Sequence, residues 1–220
     1  MNLLFKTFFA ILLVAVGSLS ARADDNFWLG VKAGTLGIGA EAIWRPLPWF
    51  DLRGGLNRFD YDETGSQSGI NYDATLELST LYATANFRVP LSPLRFTAGL
   101  FANDNELKLV SLESGSFDIG GTTYTSAEAG TLRSFTSFDS TSPYAGIGFD
   151  FGLFGQVGLN LDVGVLLQGD PKVSLSADGL LANDPTFVDS LEVERTELED
   201  EVDKLKAYPV VSLALNFQFL

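Results

Sequence analysis

Charged residues recur at alternate positions in short, otherwise apolar stretches of this sequence: Glu41 and Arg45, Asp51 and Arg53, Glu77, Arg88, Arg95, Asp150 and Asp162, with the polar Asn160 among them. Carboxylates brought together could cleave a glycosidic bond, one as acid and one as base or nucleophile. The chain has no histidine and no cysteine, which removes Ser-His-Asp and Cys-His nucleophiles and any histidine- or thiolate-bound zinc. No catalytic residue, metal site or cofactor is assigned, and the chain is read as not being an enzyme.

The segments carrying these residues alternate with period two, the mark of strands with two unlike faces. In Val157–Gln168 the residues Val157, Leu159, Leu161, Val163, Val165 and Leu167 oppose Asn160, Asp162 and Gln168. The final stretch sets Val211, Leu213, Leu215, Phe217 and Phe219 against Ser212, Ala214, Asn216 and Gln218, with Leu220 beyond. Similar alternation runs through 38–45, 50–58, 94–103 and 144–151. Between Tyr72 and Val89 the apolar parity changes, from Ala74, Leu76 and Leu78 to Leu81, Ala83, Ala85 and Phe87, and a bulge near Ser79 or Thr80 would restore one apolar face.

Strands that are polar on one face and apolar on the other can close into a barrel across a bilayer, the alternative to a spanning helix. The first 23 residues read as a secretory signal: Lys6, an apolar run from Phe8 to Val16, and Ala21-Arg22-Ala23 before an expected start at Asp24. Residues 24–220 then form one barrel domain. The leader holds two of the 14 bases and no acid, so beyond it 28 acids face 12 bases, a balance of −16. That sign argues against nucleic acid as a partner.

Connections orient the barrel. Arg45–Trp49, Val89–Pro93 and Gly152–Gly155 are short, whereas Asp60–Asn71, Ser111–Ser142 and Gly169–Lys206 are long and polar, as for periplasmic turns and extracellular loops. Seven clear strands need an eighth, placed at Phe27–Gly34 with a turn at Thr35-Leu36-Gly37. The expected fold is all-β: an eight-stranded antiparallel transmembrane β-barrel with long extracellular loops, one of which carries a short acidic helix. That helix is capped by Asp184, begins at Pro185 and bears a stripe of Phe187, Leu191, Leu198, Val202 and Leu205. Asp184 to Lys206 carries nine acids, and Asp60, Asp62, Glu63 and Asp73 sit in the first long loop. These acids read as a solvated face, as contacts to divalent cations of a lipopolysaccharide layer, or as a funnel for cationic solutes.

FDIGGTTYTSAEAG (117–130), SPYAGIGFDF (142–151), GDPKVSLSADG (169–179) and AYPVVSLALNFQF (207–219) resemble, in that order, the carbapenem-associated, ornithine-uptake porin family of CarO type and related small outer-membrane barrels. The first half of the chain resembles it loosely, through Gly34-Thr35-Leu36-Gly37 and Trp44. The resemblance implies a monomeric eight-stranded barrel in the outer membrane of a Gram-negative bacterium, associated with uptake of small molecules such as basic amino acids. The terminal aromatic resembles the signal read by barrel-assembly machinery. Outer-membrane lipid and lipopolysaccharide are the expected surroundings. The ten residues named first are expected to line the lumen, either pairing to fill it or forming a polar path for a small charged solute, and the two roles coexist if ion pairs rearrange. A barrel passing or binding small solutes, cationic ones if selective, is the leading expectation. A closed structural or surface-interaction barrel acting through its loops is the alternative.

Overall fold

Alternating sequence becomes alternating burial in this chain, with the usual sign reversed. The computed structural model describes residues 26–67, 70–112 and 115–219. The expected leader, the start at Asp24 and Leu220 lie outside the described residues. Among the described residues thirteen strands are formed: β1 (Phe27–Gly34), β2 (Gly37–Leu47), β3 (Phe50–Gln67), β4 (Ile70–Arg88), β5 (Leu94–Asn103), β6 (Glu106–Ser111), β7 (Ser116–Ile119), β8 (Thr122–Thr125), β9 (Leu132–Ser137), β10 (Thr141–Phe154), β11 (Val157–Leu167), β12 (Lys172–Ala177) and β13 (Ala207–Gln218). The helices are α1 (Ser126–Ala129) and α2 (Pro185–Val202), the latter running into a 3-10 turn at Asp203–Lys206.

Eight of the strands close a ring of antiparallel neighbours in the order β1, β2, β3, β4, β5, β10, β11 and β13, with β13 returning to β1. The strand at Phe27–Gly34 is therefore present, and it is one of the two that close the ring. Along β13, Leu213 and Phe217 are 50% and 51% exposed, while Ala214 and Asn216 between them are 1% and 2% exposed. Apolar side chains cover the outside, and small, polar and charged ones fill much of the inside. A ring of this kind leaves no unpaired strand edge in its wall.

The ring has two unlike ends. At the turn end lie the connections 48–49, 89–93 and 155–156 and both ends of the described chain. At the loop end the segments expected as long loops are mostly ordered structure. β3 and β4 continue as a hairpin through most of the expected Asp60–Asn71 loop, with Asp60 opposite Glu77 and Thr64 opposite Asp73. The distal half of β4 pairs with β6, β6 with β9, and β9 with β12, so a sheet extends from the ring wall.

This extension corrects the expected bulge. The β3–β4 register runs without a shift from Phe50↔Phe87 to Gln67↔Ile70. Leu78, Thr80, Tyr82, Thr84 and Asn86 are all buried on one face. Apolar parity changes because β4 changes partner: residues 80–88 pair with β5 inside the ring, and 72–77 pair with β6 beyond it.

The loop end carries a second core. Phe117 and Ile119 from β7, Tyr124 from β8, Ala129 from α1 and Phe187 from α2 are buried together, with Leu132, Ala177, Leu181 and Leu191 around them. The Tyr124 and Phe187 rings meet edge to face at 4.8 Å. α2 starts as expected, because the Asp184 carboxylate accepts from the Thr186 and Phe187 amides at 2.9 and 3.3 Å and Pro185 has no amide to leave unpaired. Glu199 accepts from the Val173 amide of β12 at 3.3 Å, fastening the helix to that strand. Replacing Phe187 with Ala should cost this cap about 3–5 kcal/mol and leave the ring intact. Hydrogen exchange checks it, with amides of 117–124 exchanging faster and those of 211–216 unchanged.

Candidate functional site

The inward faces of the ring strands converge on a buried polar lattice built around three arginines. Arg53 (β3) pairs with Asp51 at 3.1 Å, with Asp150 at 3.5 Å and with Glu41 at 3.7 Å. Arg95 (β5) pairs with Asp162 at 2.6 Å and Asp150 at 3.2 Å, and donates to Asn86 and Thr97 at 2.9 and 2.8 Å. Arg88 (β4) pairs with Asp150 at 2.6 Å and Asp51 at 3.5 Å. The Asn160 amide is oriented with its oxygen toward Arg53, where it accepts at 2.9 and 3.1 Å. Arg53 and Arg95 are almost wholly buried, so their charges depend on these partners.

Small residues in the wall make room for the large ones. A Cβ at Gly148 would collide with the Arg95 guanidinium, and one at Gly55 with the Tyr82 hydroxyl. The register that places these glycines opposite the lattice also carries Arg95 beside Gly148 across β5 and β10.

Above the ionic lattice, toward the loop end, Tyr82 donates to Glu41 at 2.8 Å and Lys32 donates to Tyr82 at 3.3 Å. An apolar layer follows, formed by Leu36, Tyr82, Phe101, Tyr144, Leu166 and Val210. Phe101 stacks on Tyr82 at 4.9 Å and meets Tyr144 at 5.2 Å. Leu36 belongs to the two-residue turn between β1 and β2, which is held to the neighbouring β13: the Thr35 amide donates to Val211 O at 2.9 Å, and Tyr208 donates to Thr35 O at 2.8 Å. Gly37 at the end of that turn has φ +91°, which suits glycine. Gln168 then ties the layer to the cap, accepting from Asn103 and Asn105 at 3.1 and 2.8 Å and donating to Leu205 O at 3.2 Å.

Of the ten expected lumen residues, Glu41, Arg45, Asp51, Arg53, Arg88, Arg95, Asp150, Asn160 and Asp162 lie inside the ring. Glu77 does not. It sits on β4 beyond the last pair with β5, half exposed, and accepts from Lys108 at 3.0 Å. Its inward placement followed from the expected bulge, and the unbroken β4 turns it to the other face. Lys32, Asn86, Thr97 and Asn216 are inward residues that the charged set omitted. Even parity in β1, and the polar parity of β4, β5 and β13, carry the signal for them.

The lumen interior is filled. A pocket of about 20 Å³ lies beside Lys32, Glu41 and Tyr82, and one of about 140 Å³ lies at the turn end beside Trp28, Arg45 and Arg88. The Arg53–Arg95–Asp162 lattice separates them.

Several acids of the loop end are engaged with the cap itself. Arg195 bridges Glu192 at 2.6 Å and Glu199 at 2.5 Å, and Glu194 accepts from the Gly120 amide at 3.0 Å. Hydrogen bonds from the Thr125 backbone and side chain hold the Glu128 carboxyl below its ordinary range. Among the described residues, no group of three or more His, Cys, Asp or Glu side chains could hold a metal ion.

No family model matches the chain, and no curated protein sequence does. Crystal structures that share its fold include two from Acinetobacter baumannii. CarO2 of Acinetobacter baumannii is 24% identical, with a TM-score of 0.62 over 88% of this chain and 98% of that one. CarO of Acinetobacter baumannii is 23% identical, with a TM-score of 0.60 over 87% of this chain and 97% of that one.

Removing one member of a buried ion pair strands its partner. Arg95→Gln should therefore destabilise the protein by about 3–5 kcal/mol, because Asp162 and Asp150 each lose a cation. Equilibrium urea unfolding in lipid vesicles measures this.

Proposed function

We propose, for a chain with the fold of the CarO structures, that it is a monomeric outer-membrane barrel of a Gram-negative envelope whose lumen is sealed at rest. The ring spans the lipid, the turn end faces the periplasm, and the cap stands among lipopolysaccharide on the cell surface. Barrel-assembly machinery would insert it, with the terminal strand and Phe219 as its signal. The observation that carries this reading is the reversed burial: exposed Val, Leu and Phe around a ring whose interior is packed with paired charges and closed by an apolar layer. Such an exterior is costly in water and favourable in hydrocarbon. A lattice of this kind offers no continuous water path, so the folded cap is the part available to partners.

A second reading is favoured by the two pockets on either side of the lattice. If the ion pairs and the Leu36 turn rearrange, a small solute could pass from one to the other, and the charges of both signs would suit a basic amino acid or another small charged molecule.

Planar-bilayer conductance and liposome uptake separate the readings. The unaltered protein should show no stepwise conductance and no uptake of lysine-like, neutral or acidic solutes. Truncating the apolar layer with Phe101→Ala and Tyr144→Ala together should still give no conductance, because the ionic lattice below it stays closed. Steady conductance or uptake by the unaltered protein would favour the passage reading. The lipid face has its own test: Leu213→Arg should cost about 2–4 kcal/mol in vesicles, whereas Val193→Arg, on an exposed face of α2, should change stability by less than about 0.5 kcal/mol.

A further inference from the structure

Two cations inside the ring lack a carboxylate within ion-pairing distance among the described residues: Lys32, which donates to the Tyr82 hydroxyl at 3.3 Å, and Arg45 at the turn end. The carboxylates Glu41, Asp51, Asp150 and Asp162 share the interior with Lys32, Arg45, Arg53, Arg88 and Arg95, so cations outnumber them by one. Among the described residues, Arg45 has no carboxylate within ion-pairing distance. Its guanidinium lies over the Trp28 ring, 5.2 Å from the centroid. Arg45 Nε and Trp28 Nε1 are both buried donors without an acceptor. Two buried donors on neighbouring side chains are costly unless something accepts from them.

The space to hold such an acceptor is present. The turn-end pocket of about 140 Å³ is lined by Trp28, Ile43, Arg45, Arg88, Asp150 and Asn160. One water needs only about 10–15 Å³ of such space, so a molecule of several heavy atoms fits. Asp150 on its wall is already engaged by Arg88 at 2.6 Å and by Arg95 at 3.2 Å. Its charge would still repel a divalent anion more than a monovalent one. A carboxylate matches the remaining donors, because its two coplanar oxygens fit the guanidinium fork and leave a lone pair for the indole N–H.

We propose that the turn-end mouth of the ring binds a small monocarboxylate between the Arg45 guanidinium and the Trp28 indole N–H. The site lies on the turn side of the ionic lattice and does not require the lumen to open. It completes the hydrogen bonding of the one interior cation that the ring leaves unpaired by charge and by direct donor contact.

The indole N–H signals of Trp28, Trp44 and Trp49 report on it by nuclear magnetic resonance of the protein in detergent micelles, with Trp28→Phe identifying the Trp28 signal. Acetate, titrated at constant ionic strength against a bulky sulfonate, should move the Trp28 signal saturably and leave the Trp44 and Trp49 signals in place. Arg45→Gln should weaken that binding about tenfold or more, with unchanged Trp44 and Trp49 signals showing that the ring is folded. Arg45→Lys keeps the charge but loses the fork, and should weaken it about threefold or more. Saturation by chloride alone, the lack of any saturable shift with acetate, or full acetate affinity in both Arg45 variants would overturn the proposal.

Discussion

An eight-stranded ring has an interior only as wide as the side chains that point into it, and that width governs what its charges can do. Two guanidinium groups, from Arg53 and Arg95, occupy the middle of the ring. A buried guanidinium is costly without partners, and the carboxylates of Asp51, Asp150 and Asp162 meet these two from β3, β10 and β11. The glycines opposite supply the remaining room. Closure of the ring and pairing of the charges are thus one condition: the register that joins β5 to β10 also places Arg95 beside its acids.

The reversed burial follows from the same geometry. Once the inward face is committed to polar side chains, the outward face must carry the apolar ones, and Leu213, Leu215 and Phe217 stand exposed around Ala214 and Asn216. In water that arrangement would bury the wrong face. It becomes consistent only against hydrocarbon, where the closed ladder leaves no backbone group unpaired.

The loop end shows a third consequence. β3 and β4 run past the ring, and their free edge is taken up by β6, β9 and β12, with α2 fastened beside β12 through Glu199. A sheet left with a bare edge invites pairing with other chains; α2 packs beside β12, the last strand of the extension, and encloses the Phe117–Phe187 core with β7, β8 and α1. The acidic residues of α2 therefore serve the cap in part as internal ligands, to Arg195 and to backbone amides. The apolar layer under the cap, with Leu36 folded in from the two-residue β1–β2 turn, separates that surface from the ionic lattice.

The alternation of β2, β5, β11 and β13, the Asp184-capped helix and the inward parity of nine of the ten polar residues were all legible in the sequence, because each is set by spacing along one strand or one turn. The eighth strand needed only the demand that a ring close evenly. What spacing could not reveal depends on neighbours in space. Whether β4 bulges is decided by its change of partner from β5 to β6, and with it the side on which Glu77 lies. Whether the expected loops are loose or folded depends on Phe187 finding Tyr124, 63 positions apart in the numbering. Which acid meets which arginine, and which arginine is left over, is fixed only when eight strands share one interior. Local sequence determines the face a side chain takes, and closure in three dimensions decides what it meets there.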